Sequence, residues 1–184
     1  MAHFAECRID NNEVIRVIVV SDQDVANNGG NNSTQAEQWV KDNIPQGVRL
    51  KAQYEAEGET YPDTFWKQTY KQTSERGAYA GISSLWNSTH NIFTDKKAFP
   101  SWVLDTTTGL HTAPVACPGE NIQNCRKTDE LDDNGDQIEV CDFLPPDWNE
   151  TITTWVCKKL PLSSNKMRRW DASSSSFLPE EDIV

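Results

Sequence analysis

Three times along this chain of 184 residues an apolar residue is followed by Asp or Asn, then by a polar Ser/Thr-rich turn, then by an apolar or aromatic residue close to seven positions after the first. The copies are Trp86-Asn87 through Phe93, Leu104-Asp105 through Leu110-His111, and Trp170-Asp171 through Phe177. This spacing has a mechanism. An Asp or Asn that opens a turn bonds its side chain to the backbone N–H groups that follow, while the two apolar ends meet across a tight hairpin. Each copy therefore reads as one β-hairpin. A hairpin alone is marginal in water, so several must stack on each other or add to a partner's sheet edge to bury their aromatic faces.

The remaining pattern agrees with a mainly β chain, made of small antiparallel sheets and β-hairpin modules with one short helix. His3 to Ile9 and Val14 to Val20 are extended runs separated by Asp10-Asn11-Asn12, where asparagine tolerates positive φ. Cys7 falls in the first of these strands and reads as a packing thiol. A loop rich in Asn and Gly over 27–32 precedes the single expected helix, capped by Ser33 or Thr34, running through Gln35, Ala36, Trp39 and Val40 and closed before Pro45. Residues 46–63 read as a surface excursion with at most one strand, around Val48 to Ala52.

Short aromatic strands are then predicted at Phe65 to Thr69, Tyr79 to Leu85, Ile92-Phe93, Ser101 to Leu104 and Leu110 to Val115. Inside 116–160 a separate hairpin is predicted from Glu130-Leu131 and Ile138 to Cys141 around Asn134-Gly135, a type I′ turn signal, with another strand at Trp155-Val156. The organisation that follows is a hairpin plus short helix over 1–63, a hairpin module over 64–115, an inserted hairpin region over 116–160, and a final hairpin with a flexible tail over 161–184.

Only 36% of the residues are hydrophobic, so the core is thin, and the seven Trp must supply much of its area. Trp66, Trp86, Trp102 and Trp170 are the candidate interface anchors, with an intramolecular core role as the plainer alternative for each. The net charge of −11 repels phosphates, and the basic residues are scattered apart from Lys166-Met167-Arg168-Arg169, so no nucleic-acid partner is expected. The same acid favours solubility. No membrane partner is expected either, because the longest apolar stretch, Val14 to Val20, is short, β-branched and interrupted by Arg16.

Five cysteines at 7, 117, 125, 141 and 157 form no C-x-x-C pair and have no His at ligand spacing, which gives no zinc site. Cys117, Cys125, Cys141 and Cys157 either stay reduced or close two disulfides in any of three pairings. The acidic run at Asp132, Asp133, Asn134, Gly135 and Asp136 superficially matches a calcium loop, but Gln137 stands where the loop needs Gly and Phe143 where it needs Glu. His3, His90 and His111 are the only histidines, and nucleophile elbows, phosphate-cradling loops and dinucleotide fingerprints are absent from the sequence. No catalytic residue, metal or cofactor is therefore expected.

Two segments carry a resemblance. Met1-Ala2-His3-Phe4-Ala5-Glu6 leading into the Val14 to Val20 strand, and Tyr79-Ala80-Gly81-Ile82 with Phe99-Pro100-Ser101-Trp102-Val103-Leu104-Asp105 and Ala113-Pro114-Val115, together resemble small virion structural proteins of tailed phages, particularly those infecting marine cyanobacteria. The Pro-Ser-Trp and Ala-Pro-Val stretches also resemble hairpin modules of phage tail-associated proteins. The resemblance spans the first hairpin and residues 65–115, with Trp170 to Phe177 as a further copy. It implies a virion location, other virion proteins as partners, a homo-oligomer or lattice-bound copies, and a position as capsid decoration or neck/tail subunit. It transfers no catalytic residue. Two other readings stand beside it: a tail-tip module that binds or cleaves glycans, and a chaperone for tail or fibre assembly.

Overall fold

A computed structural model describes residues 1–71, 75–118, 125–131, 133–135, 137–141, 145–159 and 165–183, with the backbone alone described over 125–131 and 137–141. The chain divides into two compact units, one of Met1–Ala98 with Val103–Thr112, the other of Phe99–Trp102 with Ala113–Val184. Strands dominate both, in small antiparallel sheets, as the patterning predicts.

The first unit is built on a three-stranded sheet in which β1 (Ala2–Arg8) lies between β2 (Val14–Val20) and β3 (Thr64–Thr69). The predicted turn forms: Arg8 N–H donates to the Glu13 carbonyl at 2.9 Å, and Asn12 takes the positive φ of 62° that its side chain tolerates. The ladder pairs Glu6 with Arg16 and Cys7 with Val14, leaving Ile15 as an extra residue. That bulge resets the alternation of β2, which is how Val14 and Val17, three positions apart, both reach one face of the sheet.

Each face of β1 has its own core. On one side Ala2, Phe4, Val20 and Trp66 pack with Val25, Ala36 and Val40 of two helices, α1 (Asp22–Asn27) and α2 (Thr34–Asn43). On the other, Ala5, Cys7 and Val14 pack with Ala80, Trp86 and Phe93. Phe4 and Phe93 are fully buried. Removing a side chain of that size from water contributes about 1.5–3 kcal/mol. Cys7 is the packing thiol expected from its position, and burial pushes its pKa up to about 12, so it stays protonated and unreactive.

Two buried carboxylates cross these cores. Glu6 accepts from Arg16 Nε at 2.7 Å, the Tyr61 hydroxyl at 2.8 Å and Thr64 Oγ1 at 2.9 Å. Glu37, on α2, accepts from Lys67 Nζ at 2.6 Å and Arg76 Nη1 at 2.8 Å, and both cations also lie over the Trp86 ring. A buried acid persists only where donors satisfy it in this way.

The helices differ from expectation in number. Ser33 caps α2 by accepting from Ala36 N–H at 3.0 Å, as read, but Ser21 caps α1 in the same manner through Asp24 N–H at 3.1 Å. A third helix, α3 (Val48–Ala56), replaces the strand expected around Val48 to Ala52. Its Arg, Leu, Lys, Ala, Gln and Glu content is strongly helix-forming, and it buries no residue, so propensity rather than an apolar stripe decides it. Tyr79 to Leu85 is also not a strand: Ser83 sits at φ 72° and the Gly81–Ser84 turn breaks the run, with only Leu85 entering β4.

The hairpin layer of this unit comprises β4 (Leu85–Asn87) paired with β5 (Ile92–Thr94), and β6 (Val103–Leu104) paired with β7 (His111–Thr112). The last two strands are shorter than the runs Ser101 to Leu104 and Leu110 to Val115 suggest. Gly109 is where the two hairpins meet. With φ at 75°, a Cβ there would stand 2.1 Å from the Phe93 carbonyl oxygen, so only glycine permits this approach.

In the second unit, β10 (Asp147–Asn149), β11 (Thr154–Lys158), β12 (Lys166–Asp171) and β13 (Ser176–Phe177) follow in sheet order, and β14 (Glu181–Asp182) pairs with β12. Within the acidic tail Glu181–Asp182 pairs with β12, with Lys166 bonded to Asp182 at 2.7 Å and Arg169 paired with Glu181. Opposite charge draws the tail onto the one basic cluster of the chain. A separate two-stranded sheet joins β8 (Cys125–Leu131) to β9 (Gln137–Cys141). Gly135 takes φ of 85° while Asn134 does not enter the positive region, so the connection is not the type I′ turn that Asn-Gly suggests. Of the would-be calcium loop, Asp132, Asp136 and Phe143 lie outside the described residues.

Candidate functional site

The feature that recurs through both units is the hairpin opened by Asp or Asn. In β4–β5, Asn87 Oδ1 accepts from the N–H groups of Thr89 and His90, each at 3.1 Å, and Asn91 takes φ of 57°. In β6–β7, Asp105 Oδ1 accepts from Thr107 N–H at 2.8 Å, Oδ2 accepts from Thr108 Oγ1 at 2.9 Å, and Gly109 holds the positive φ. In β12–β13, Asp171 Oδ1 accepts from Ser173 N–H at 3.1 Å, Oδ2 from Ser174 Oγ at 2.6 Å, and Ser175 holds φ of 50°.

A fourth copy joins β10 to β11. Asn149 Oδ1 accepts from Thr151 N–H at 3.0 Å and Ile152 N–H at 3.3 Å, and Thr153 holds φ of 49°. The facing pairs are Trp86 with Phe93, Leu104 with His111, Trp148 with Trp155, and Trp170 with Phe177. In each copy the side-chain acceptor stands next after the first member of the pair, and the left-handed residue stands two before the second. Three of the pairs are edge-to-face aromatic contacts, with ring centroids 4.9, 5.4 and 5.2 Å apart. Such contacts contribute about 0.5–1.5 kcal/mol each beyond their buried area.

The four Trp singled out from the sequence divide by environment. Trp66 and Trp86 are 4% and 5% exposed, so their rings are spent on the two cores of the first unit, Trp66 beneath Arg16 and Trp86 against Phe93. Trp102 and Trp170 are half-buried in the second unit. Trp102 packs between Phe99 and Trp148, at centroid distances of 5.3 and 6.4 Å. Glu150 ties this stack together by accepting from Ser101 N–H at 2.8 Å, Ser101 Oγ at 2.7 Å and Trp148 Nε1 at 2.9 Å. Trp148 and Trp155, which the Ser/Thr-rich turn pattern does not mark, obey the same spacing rule.

No family model, curated protein or solved structure matches this chain.

Two histidines make side-chain contacts. His111 Nδ1 pairs with Asp95 Oδ1 at 2.7 Å while its N–H donates to the same oxygen at 2.9 Å, locking β7 to the end of β5. His3 Nδ1 meets the Tyr79 hydroxyl at 3.1 Å. Among the described residues, no group of three His, Cys, Asp or Glu side chains is placed to hold a metal ion, and no helix is long and apolar enough to cross a membrane. Two kinds of edge face outward instead. The aromatic hairpins have short exposed turns, and β2 closes one side of its sheet with Val19 53% exposed and, among the described residues, no strand paired along 17–20 beyond β1. Such an edge offers backbone donors and acceptors to another chain.

The turn hydroxyls of Ser174 and Ser173, with the Ser173 N–H, hold the Asp171 carboxyl down from 3.8 to about 2. A carboxyl depressed in the folded state supports its turn at every pH above its unfolded value and loses that support as pH falls through the folded one. The Ser173 and Ser174 amide resonances are therefore expected to shift with a midpoint near pH 2, the turn loosening as pH falls through it. Asp171→Asn keeps the acceptor and removes this titration, whereas Asp171→Ala opens the turn at neutral pH. An unshifted midpoint near 3.8 in a nuclear magnetic resonance titration would show that the hydroxyls do not engage the carboxylate.

Proposed function

We propose that this chain is a non-enzymatic structural subunit of a tailed-phage particle, acting by protein–protein packing as a head-accessory or neck/tail-associated component. The observation that carries this reading is the repeated hairpin: four copies of one self-closing unit, each anchored by a side-chain acceptor and three of them faced with aromatic pairs. Repetition of a small adhesive unit suits attachment to a repeating surface, where each copy adds area without any need for a cleft. The open β2 edge supplies a second mode of contact, backbone pairing with a neighbour or with another copy of the chain. The charge of −11 supports protein partners and opposes packaged nucleic acid. The N-terminal and Pro-Ser-Trp segments, which resemble phage virion proteins, now lie on β1 and on the Trp102–Trp148 stack, so the resembling residues are also those that build the two units.

A cryo-electron microscopy map of the particle tests the reading. Density for the chain on the capsid, neck or tail, with a hairpin or the β2 edge seated on a neighbour, is the expected result. A complete map of head and tail with no density for the chain opposes it.

A further inference from the structure

Beyond Phe177 the chain continues along the edge of β12. Leu178 N–H donates to the Arg169 carbonyl at 2.9 Å, Glu181 and Asp182 lie opposite Met167 and Lys166, and Ile183 N–H donates to the Asn165 carbonyl at 3.1 Å. Pro179 stands between the β13 and β14 pairings, where it has no N–H to donate. The charges match one to one. Glu180 accepts from Lys159 Nζ at 2.9 and 2.8 Å, Asp182 pairs with Lys166 at 2.7 Å, and Glu181 pairs with Arg169. Lys159 follows β11 and is held beside β12 by its N–H, which donates to the Lys166 carbonyl at 2.8 Å. Three consecutive acids in an extended segment thus meet three separate cations.

The attachment is selective in its chemistry and weak in its strength. β14 has two residues, and each of the six charged side chains is about a third exposed or more, so water and salt screen every pair. A strand held this way leaves its sheet at low cost. What it uncovers is a sheet edge flanked by Lys159, Lys166 and Arg169, which suits an extended acidic segment.

We propose that the β12 edge is a docking site for an acidic strand, filled within one molecule by its own residues 180–183 and, where copies crowd together, by the same residues of a second copy. The charge match argues for this occupant, because every copy carries a segment whose three acids already suit those cations. A short hinge at Leu178-Pro179 has only to straighten to send the strand outward. Exchange remakes the bonds of the closed monomer, so effective concentration decides between the two: the molecule's own strand wins in dilute solution and the neighbour's gains when copies share a surface. This edge is distinct from the open edge of β2, and its exchange does not depend on a virion location.

The test mixes two full-length variants. One has the strand reversed by Glu180→Lys, Glu181→Lys and Asp182→Lys; the other has the site reversed by Lys159→Glu, Lys166→Glu and Arg169→Glu. Each repels its own strand, and each strand suits the other's site. The mixture is run at about 0.15 M salt, where a Debye length of about 8 Å screens the repulsion between molecules of charge −11 more than the direct contacts. Analytical ultracentrifugation with one variant labelled is expected to show a mixed complex, lost at about 1 M salt. Either variant alone is expected to associate no more than the unaltered chain does. As a second measurement, a labelled Leu-Pro-Glu-Glu-Asp-Ile-Val peptide is titrated into the full chain carrying Glu180→Gln, Glu181→Gln and Asp182→Asn. Fluorescence anisotropy is expected to show binding about tenfold or more tighter than to the unaltered chain, whose own strand competes. If near-ultraviolet circular dichroism shows that the reversed variants do not fold, the peptide result decides alone. Folded variants that form no mixed complex, or a peptide that binds the neutralised and unaltered chains equally, overturn the proposal.

Discussion

Replacing Glu37 by alanine is expected to lower the unfolding midpoint of the first unit more than any other single charge change in the chain. Glu37, Lys67 and Arg76 have side chains only 8%, 22% and 7% exposed, so the carboxylate neutralises two cations that water scarcely reaches. Without it Arg76 keeps its bonds to the carbonyls of Gln68 and Asn32, and both cations keep the Trp86 ring, but none of these carries a full negative charge. Breaking one side of a buried ion pair costs about 3–5 kcal/mol. For a chain of this size that corresponds to a fall of roughly 6–20 °C in midpoint. Lys67→Met is expected to cost much less, because the Glu37–Arg76 pair survives it. The triple replacement of Glu37, Lys67 and Arg76 by Leu, Met and Met is expected to recover most of the loss, since no buried charge then lacks a partner. Equal effects of Glu37→Ala and Lys67→Met in thermal unfolding would show that the network is not what holds α2 to β3.

Phe93→Ala is the second large effect. Phe93 is fully buried, faces Trp86 across the β4–β5 pair at 4.9 Å, and its carbonyl receives the Ala78 N–H at 3.2 Å and abuts Gly109. Loss of the ring leaves a cavity between the sheet and the hairpins and removes the edge-to-face contact. Phe-to-Ala changes in cores cost about 3–5 kcal/mol. Phe93→Leu fills most of the volume and is expected to recover more than half. Thermal denaturation of the three forms distinguishes cavity from scaffold: if Leu is no better than Ala, the ring's geometry and not its volume is what the site requires.

These two sites mark the boundary of what the residues alone disclose. The hairpins were legible because their rule is local: an acceptor at one end of the turn, a left-handed residue near the other, and two facing partners seven positions apart, apolar or aromatic in all but His111. The same rule describes Trp148 through Trp155, but Glu150 and Ile152 interrupt the Ser/Thr composition of its turn and disguise it inside a segment read as an insertion. Short helices escaped for a related reason. The six residues of α1 show only a cap and one buried Val25, and α3 has helix-forming composition but no apolar stripe. The buried carboxylates were out of reach altogether. Glu6 depends on Arg16, Tyr61 and Thr64, and Glu37 on Lys67 and Arg76, partners that only the closed sheet brings together. Likewise, the pairing of the acidic tail with Lys166 and Arg169 requires β12 to be in place first. Of the candidate interface residues, the sequence could mark the Trp but not which face each would find.

The claim on which the functional account stands is that the chain belongs to the finished particle and acts there by adhesion. Quantitative mass spectrometry of gradient-purified virions, before and after a high-salt wash, measures it directly. Peptides of this chain are expected at a constant ratio to the major capsid protein through both preparations. Their absence from gradient-purified virions before the wash would contradict it.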